Sequence, residues 1–552
     1  MSSARCLQIP DFVRHMCEHL REEGLLRTLV SLAVTNKTVC EIALDVLWEK
    51  QESLVHFVQA IPQHKVHRHT WQREFVRLEI EGDIPDEDWN RVQTYARRVK
   101  SLRLSFSGNS DYGDWRYFVA EETVDYLGLC AGEAPIFPNL QELDFRGGDD
   151  DPSARDLALL PTFLSPTLRS LTICPRISAQ TLKLLPTIPP ACPDLHEIRI
   201  EDPPRRQYAK PRKMRLPYEK TIAGWRALTW VAIDDAHPDT LRHLSQLPDL
   251  RILDITLSGE YEYEWTPATT PGFVNGLKRL SLRLSASWHP VFLIRALSST
   301  PIAVEKVIVN VAESRTEDGD RARLHTLNTI AQMITPDSLA HFRYAHTHEE
   351  EPPAQKALPA ETLVQFAKFT RLKEFHVDAR FDVQDTHYAA LAAAWPDLEC
   401  LFIHPQQPFE WKRIYPLTGA TLASVASFGQ SCLFLNEFKL DGLDARVVPP
   451  FEPAPPGHAP GRVVKFEHYN CPIKNSAAVA AFLHAAFRGN PRISLPFYIT
   501  EVRPPYTSRW NAVAPILDEL QQYTNPYEMV QASPGSSIWF LKKKKGMEDS
   551  AE

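Results

Sequence analysis

Between residues 7 and 61 the apolar positions recur every three or four residues. In "IPDFVRHMCEHL" this spacing puts Phe12, Val13, Met16, Cys17 and Leu20 on one helical face, and Pro10 is placed to open the helix. Gly24 breaks the pattern. "LLRTLVSLAV", "KTVCEIALDVLW" and "SLVHFVQAIP" predict three further short helices, the last stopped by Pro62. Together they predict a small bundle over residues 1–62. A domain of that size buries only about 60% of its unfolded surface. The stretch "LAVTNKTVCEIALDVLW", Leu32 to Trp48, therefore brings more apolar surface than such a bundle can hide.

Beyond residue 70 the pattern changes to a hexamer, apolar-x-x-apolar-x-apolar. Its clearest copies are "LQELDF" (Leu140 to Phe145), "LRSLTI" (Leu168 to Ile173), "LHEIRI" (Leu195 to Ile200), "LTWVAI" (Leu228 to Ile233) and "LRILDI" (Leu250 to Ile255). "LKRLSL" (Leu277 to Leu282), "VEKVIV" (Val304 to Val309), "LAHFRY" (Leu339 to Tyr344), "LKEFHV" (Leu372 to Val377), "LECLFI" (Leu398 to Ile403) and "LNEFKL" (Leu435 to Leu440) continue it. Weaker copies start at Phe75, Val99 and Val463, giving about 14 repeats in all. Successive clear copies begin 22 to 37 residues apart, with helix-like runs such as "TLRHLSQL" and "ETLVQFAKF" between them. A short strand plus a helix at that period is the signature of leucine-rich repeats. One repeat cannot bury its own apolar face, so neighbours stack and their strands form a parallel sheet.

The expected fold is therefore α/β. A small N-terminal helical bundle precedes an irregular leucine-rich-repeat solenoid over residues 63–523, a horseshoe with a parallel sheet on its concave face and helices on its convex face. Residues 524–552, ending in "LKKKKGMEDSAE", are expected to be a mostly disordered tail. The Asn or Cys that usually follows the third apolar position is replaced by Gly148, Arg176, Pro203, Ala236 and Ser258 in five consecutive repeats, and only Cys471 matches. The side-chain ladder that usually satisfies the loop backbone is therefore missing or replaced, and loops that differ from repeat to repeat are expected.

Composition narrows the function. Net charge is −8, a balance that argues against nucleic acid, whose phosphates need a basic surface. Nine cysteines form no CxxC pair and suit buried thiols in a reducing compartment. There is no secretory leader pattern. The longest apolar run, Ala477 to Phe487, is too short for a bilayer, which needs about 20 residues. A cytoplasmic or nuclear protein with no membrane partner is expected. No nucleotide-binding, nucleophile-elbow or zinc-protease motif occurs, so neither an enzyme nor a cofactor is expected. His64, His67 and His69 in "HKVHRHT" read as a solvated turn, and "GGDDDP" (Gly147 to Pro152) as an acidic turn. The basic stretch Glu201 to Pro217, the acidic "HEEEPPAQ" (His348 to Gln355) and the Pro-rich Pro449 to Gly461 read as exposed loops.

The N-terminal residues carry a resemblance. "IPDFVRHMCEHL" resembles the opening of an F-box, with Ile9, Pro10, Val13, Met16, Cys17 and Leu20 in the patterned places. "LAVTNKTVCEIALDVLW" resembles its second half through Leu32, Ala33, Lys37, Ala43, Leu47 and Trp48. Followed by leucine-rich repeats, the arrangement is similar to the F-box/leucine-rich-repeat proteins common in mushroom-forming (basidiomycete) fungi. The resemblance implies a substrate-recognition adaptor of an SCF-type (Skp–cullin–F-box) ubiquitin ligase. Its F-box helices would dock on a Skp-family linker protein and, through it, on a cullin–RING ligase. The repeats would hold a protein substrate destined for proteasomal degradation.

The residues expected to meet the linker are Ile9, Pro10, Val13, Met16, Cys17, Leu20, Leu32, Leu47 and Trp48. Within the second half, Leu32, Val39 and Ala43 are expected to face inward, with Leu47 and Trp48 toward the partner or the following helix. Strand alternation turns a second set away from the core as candidate substrate contacts: Arg146, Arg199, Trp230, Arg279, Arg283, Arg343, His376 and Phe402. Trp230 and Phe402 are the candidate anchors, though Phe402 could equally pack on its neighbours. The alternative reading is a non-catalytic scaffold with a degenerate F-box, whose helices would pack onto the first repeats and leave little apolar surface.

Overall fold

The computed structural model describes residues 9–35, 37–71, 75–105, 117–132, 134–146, 158–174, 183–200, 221–234, 236–257, 272–273, 276–284, 294–312, 319–347, 357–403, 419–440, 442–450, 464–467, 471–487, 491–494, 507–522, 527–531 and 539–543. The chain divides into two compact units, Met1–Tyr261 and Glu262–Glu552.

The first unit opens with α1 (Pro10–Glu22), α2 (Leu26–Ala33), α3 (Lys37–Glu49) and α4 (Val55–Gln59), matching the four helices expected from periodicity. Gly24, at φ +72°, takes the left-handed conformation that lets the chain reverse between α1 and α2. Val13, Cys17, Leu29, Ala33, Val39, Ala43 and Val46 form the core of α1 to α3. Val39 and Ala43 thus face inward as expected, and Leu32 packs half-buried against them.

There follow β1 (Lys50–Gln51), β2 (Val66–Trp71), β3 (Phe75–Ile80), α5 (Asp86–Ala96), β4 (Ser101–Ser105) and β5 (Tyr117–Val119). β1 pairs in parallel with β4. The bundle is therefore joined to the repeat sheet within one unit rather than standing apart at residue 62. The hexamer at Phe75 departs from expectation. It forms β3, which pairs antiparallel with β2 and parallel with β5 in a separate small sheet. Only three residues separate β2 from β3. A connection that short makes a hairpin, because parallel pairing needs a long crossover.

The remaining copies stack. β4 is followed by β6 (Glu142–Arg146), β7 (Ser170–Cys174), β8 (Glu197–Ile200), β9 (Trp230–Asp234) and β10 (Ile252–Leu257), each parallel to the one before. Register aligns the hexamers: Leu102, Leu143, Leu171, Ile198, Val231 and Leu253 make one column, and Leu104, Phe145, Ile173, Ile200, Ile233 and Ile255 the next. Every member of both columns is buried.

The second unit repeats the plan with β11 (Leu277–Leu284), β12 (Val304–Ala312), β13 (His341–Thr347), β14 (Leu358–Pro359), β15 (Glu374–Val377), β16 (Phe381–Asp382), β17 (Cys400–Ile403), β18 (Glu437–Leu440), β19 (Val464–Glu467) and β20 (Pro491–Ser494). Its parallel sheet runs β11, β12, β13, β15, β17, β18, β19, β20, with β14 and β16 paired to one side. Leu280, Val307, Phe342, Phe375, Leu401, Phe438 and Phe466 fill one buried column. Helices Gly319–Met333, Asp385–Ala394, Leu422–Ser431 and Ser476–Ala486 lie between the strands in sequence, giving the strand-and-helix repeats of a solenoid. Helices Leu422–Ser431 and Ser476–Ala486 approach so closely at Gly429 that a Cβ there would lie 2.5 Å from the Ala486 carbonyl oxygen.

Two kinds of hydrogen bond tie neighbouring repeats together. At the strand entries a main-chain ladder runs from repeat to repeat: Arg169 N–H to Gln141, His196 to Arg169, Thr229 to His196 and Arg251 to Thr229, all at 2.7–2.9 Å. The second unit has the same ladder through Ala340, Lys373, Glu399 and Asn436. In addition, three buried indoles donate to carbonyls of an earlier segment: Trp225 to Cys192 (2.9 Å), Trp395 to Phe366 (3.2 Å) and Trp510 to Cys471 (2.8 Å). A buried Trp N–H needs such a partner.

The segment expected to be a disordered tail holds an antiparallel hairpin of β21 (Tyr527–Gln531) and β22 (Trp539–Lys543). The aromatic and β-branched residues of "YEMVQ" and "WFLKK" suit strands. Gly148, Arg176, Pro203 and Ser258, the stretches Gly147 to Pro152, Glu201 to Pro217 and His348 to Gln355, and most of Pro449 to Gly461 lie outside the described residues.

Candidate functional site

The bundle has one side fastened and one side open. α3 makes the fastening. Trp48 stacks on Tyr95 of α5 with ring centroids 4.7 Å apart. Arg98 pairs with Glu41 at 2.6 Å and also with Asp45. Glu49 gathers three cations: Lys100 at 2.9 Å, Arg14 at 3.3 Å and Arg21 at 3.9 Å. Burial pushes the Glu49 carboxyl up, but the Lys100 hydrogen bond and the charges of Lys100, Arg14 and Arg21 outweigh it and hold its pKa below the usual value.

The open side is apolar. Among the described residues ten large hydrophobic side chains are exposed, and six of them lie between residues 9 and 34: Ile9, Phe12, Leu25, Leu26, Val30 and Val34. On α2 the spacing 26, 30, 34 places three of these along one face. Monomers seldom cluster bare apolar residues in this way without a partner.

The nine residues expected at the linker divide. Ile9 and Pro10 are exposed. Met16, Leu20, Leu32 and Leu47 are half-buried, the last two against the bundle core. Val13 and Cys17 are corrected inward: at 1% and 0% exposure they hold α1 to its neighbours and present nothing to a partner. Trp48 is engaged by α5. Phe12, Leu25, Leu26, Val30 and Val34 were not among the expected residues. For the last four the signal lies in "LLRTLVSLAV", whose apolar residues exceed one helical face, so that a small bundle must leave some bare.

The second candidate surface is the solvent-facing side of each sheet. In the first unit several of its polar groups engage one another. Arg103 pairs with Asp144 at 3.1 Å. The Arg199 guanidinium lies 3.6 Å from the centroid of the Trp230 ring, and the Trp230 indole donates to Asp254 at 3.0 Å. Trp230 is thus clamped across three strands rather than standing free. Arg146 lies on β6, its side chain outside the described residues. In the second unit Arg279 is half-buried, while Arg283 and Arg343 are exposed. His341 Nδ1 stands 3.1 Å from Glu374. His376 and Phe402, register partners, pack their rings 5.3 Å apart, so Phe402 rests on its neighbour.

Among the described residues no group of three or more His, Cys, Asp or Glu side chains could hold a metal ion. His67 and His69 instead lie beside Glu81 and Glu79 at 3.2 and 3.4 Å. Cys17, Cys192, Cys432 and Cys471 are buried free thiols. Burial pushes the Cys192 thiol up to about 11 and that of Cys432 up to about 12. Among the described residues no helix is long and apolar enough to cross a membrane.

No known family pattern and no curated protein matches the chain. Among solved structures it is similar to a chain of "Crystal structure of Rad7 and Elc1 complex in yeast", at 13% identity and a TM-score of 0.29, over 66% of this chain and 69% of that one. A likeness of that degree carries no argument about function.

Proposed function

We propose that this protein is a non-catalytic substrate-recognition adaptor of an SCF-type ubiquitin ligase. The N-terminal bundle is its F-box and docks on a Skp-family linker, which connects it to a cullin–RING ligase. The repeat sheets bind a protein substrate, in the cytoplasm or nucleus, without cofactor, nucleic acid or membrane. The observation that carries this reading is the run of bare apolar side chains between Ile9 and Val34 beside a well-filled bundle core. An apolar surface of that kind is what an obligate docking helix presents.

The rival reading, a scaffold whose degenerate F-box has lost its partner, draws on the fastening of α3 to α5 and of β1 to β4. Gel filtration of the full chain with a purified Skp-family linker separates the two. Co-elution as a stable complex is expected. Folded, soluble protein that elutes apart from the linker would overturn the adaptor reading in favour of the scaffold.

A further inference from the structure

The sheet of the second unit begins with a group of basic side chains. Register places Lys306 between Arg279 and His341, and Ile308 between Ser281 and Arg343, while Arg283 stands opposite Asn310. No acid occupies any of these neighbouring positions. Arg283, Lys306 and Arg343 have neither an ion-pair nor a hydrogen-bond partner among the described residues. Arg283 and Arg343 are exposed, and Lys306 and Ile308 are half-exposed between them. The patch ends one strand later, where Glu374 lies 3.1 Å from His341.

Like charges on adjacent strands oppose the pairing that holds them. A sheet shaped only for its own stability would place an acid at one of these positions, as Glu374 does beside His341. We propose that this face, over β11 to β13, binds an acidic segment of a partner protein, with Asp or Glu carboxylates on Arg283, Lys306 and Arg343 and an apolar side chain on Ile308. The inference names the substrate class of the adaptor reading and rests on that reading.

Spacing supports an extended peptide. Neighbouring strands are about 4.8 Å apart, and alternate residues of an extended chain about 6.7 Å, so acids two or four positions apart reach successive cations. Nucleic acid fits less well. High-affinity phosphate recognition draws on about six to ten contacts. Here a few cations surround an uncharged floor, in a chain of net charge −8.

The test is fluorescence anisotropy on the full-length chain. The probe is a labelled extended peptide with Glu at alternate positions and Leu and Ser between them. Saturable binding that weakens as salt rises is expected. Arg283→Glu with Arg343→Glu turns two attractions into repulsions and is expected to weaken binding about tenfold or more. Lys306→Gln is expected to weaken it severalfold, and both variants should melt like the parent. Equal binding of the Gln-substituted peptide, or variants that bind like the parent, would overturn the proposal. So would tighter binding of a single-stranded RNA of equal charge, or tenfold preference for a phosphoserine version. Co-elution with the linker is measured in parallel. Its loss with peptide binding intact would sink the adaptor reading and leave the acidic-segment surface standing.

Discussion

Replacing Leu26 and Val30 with Asp separates docking from folding. The two side chains are 48% and 47% exposed, so each already contributes about half its area to the bundle. Burying a whole Leu or Val is worth about 1.5–3 kcal/mol, so covering the remaining half of both under a linker contributes about 1.5–3 kcal/mol together. An unpaired carboxylate left in an apolar interface costs more again. The double variant is therefore expected to bind the Skp-family linker at least about 100-fold more weakly, at 1.4 kcal/mol per tenfold. Folding should weaken by about 1.5–3 kcal/mol for the buried half of the two side chains, plus about 0.7 kcal/mol or less each for Asp in a helix. The counterpart is Leu29→Ala, one position away on the same helix and fully buried. It should cost about 2–5 kcal/mol of stability and lose binding through unfolding of the bundle. Isothermal titration against the linker, paired with thermal melting by circular dichroism, reads both quantities. A Leu26→Asp, Val30→Asp protein that is still folded at the titration temperature and binds within threefold of the parent would refute the reasoning.

Three further outcomes are expected. Glu49 has a lowered carboxyl pKa in the folded state, so its stabilisation is full above the ordinary carboxylate range and is lost as pH falls through the folded value; Glu49→Gln should flatten the acid limb of the melting profile. Cys192 and Cys432 have thiols raised from 9.0 to about 11 and about 12, so they should resist alkylation at pH 8 until denaturant is added, and the protein should lose stability as pH climbs past about 9, where only the unfolded thiols ionise. Gly429→Ala would press a methyl against the Ala486 carbonyl and should cost about 1–3 kcal/mol, measured by urea titration.

The strands of the stack were legible because the hexamer states both period and phase. Apolar residues at its fourth and sixth positions can share one face only in an extended chain, and register then aligned them, Leu143 with Leu171 and Phe145 with Ile173. β20 is not legible as a repeat because "PRIS" offers one apolar residue besides its proline, Ile493, in register with Phe466. The copy at Phe75 shows the converse. Its pattern is as good as that at Val99, but the length of the preceding turn, which a hexamer does not encode, sent it to another sheet. The bundle face was harder to read. Periodicity marks which side of a helix is apolar, but the one apolar face of α1 holds both buried Val13 and bare Phe12, and α2 is apolar over more than one side. Which arc meets the core depends on packing angles that the pattern does not specify. Hence the pattern alone places Val13 and Cys17 on the docking side and does not single out Leu26 and Val30.

The constant register has a consequence for how such a chain can change. Core columns and the main-chain ladder keep the same phase from repeat to repeat, although the repeats themselves run from 22 to 37 residues. Length differences are taken up in the connections and never reach the columns. A whole repeat can therefore be duplicated or deleted, and the strands on either side still meet in register. Each repeat so gained adds its own few solvent-facing side chains, as β12 adds Lys306 and Ile308. The fold separates inheritance of its core from revision of its surface, so new binding specificities can be assembled by editing modules rather than by redesigning a site.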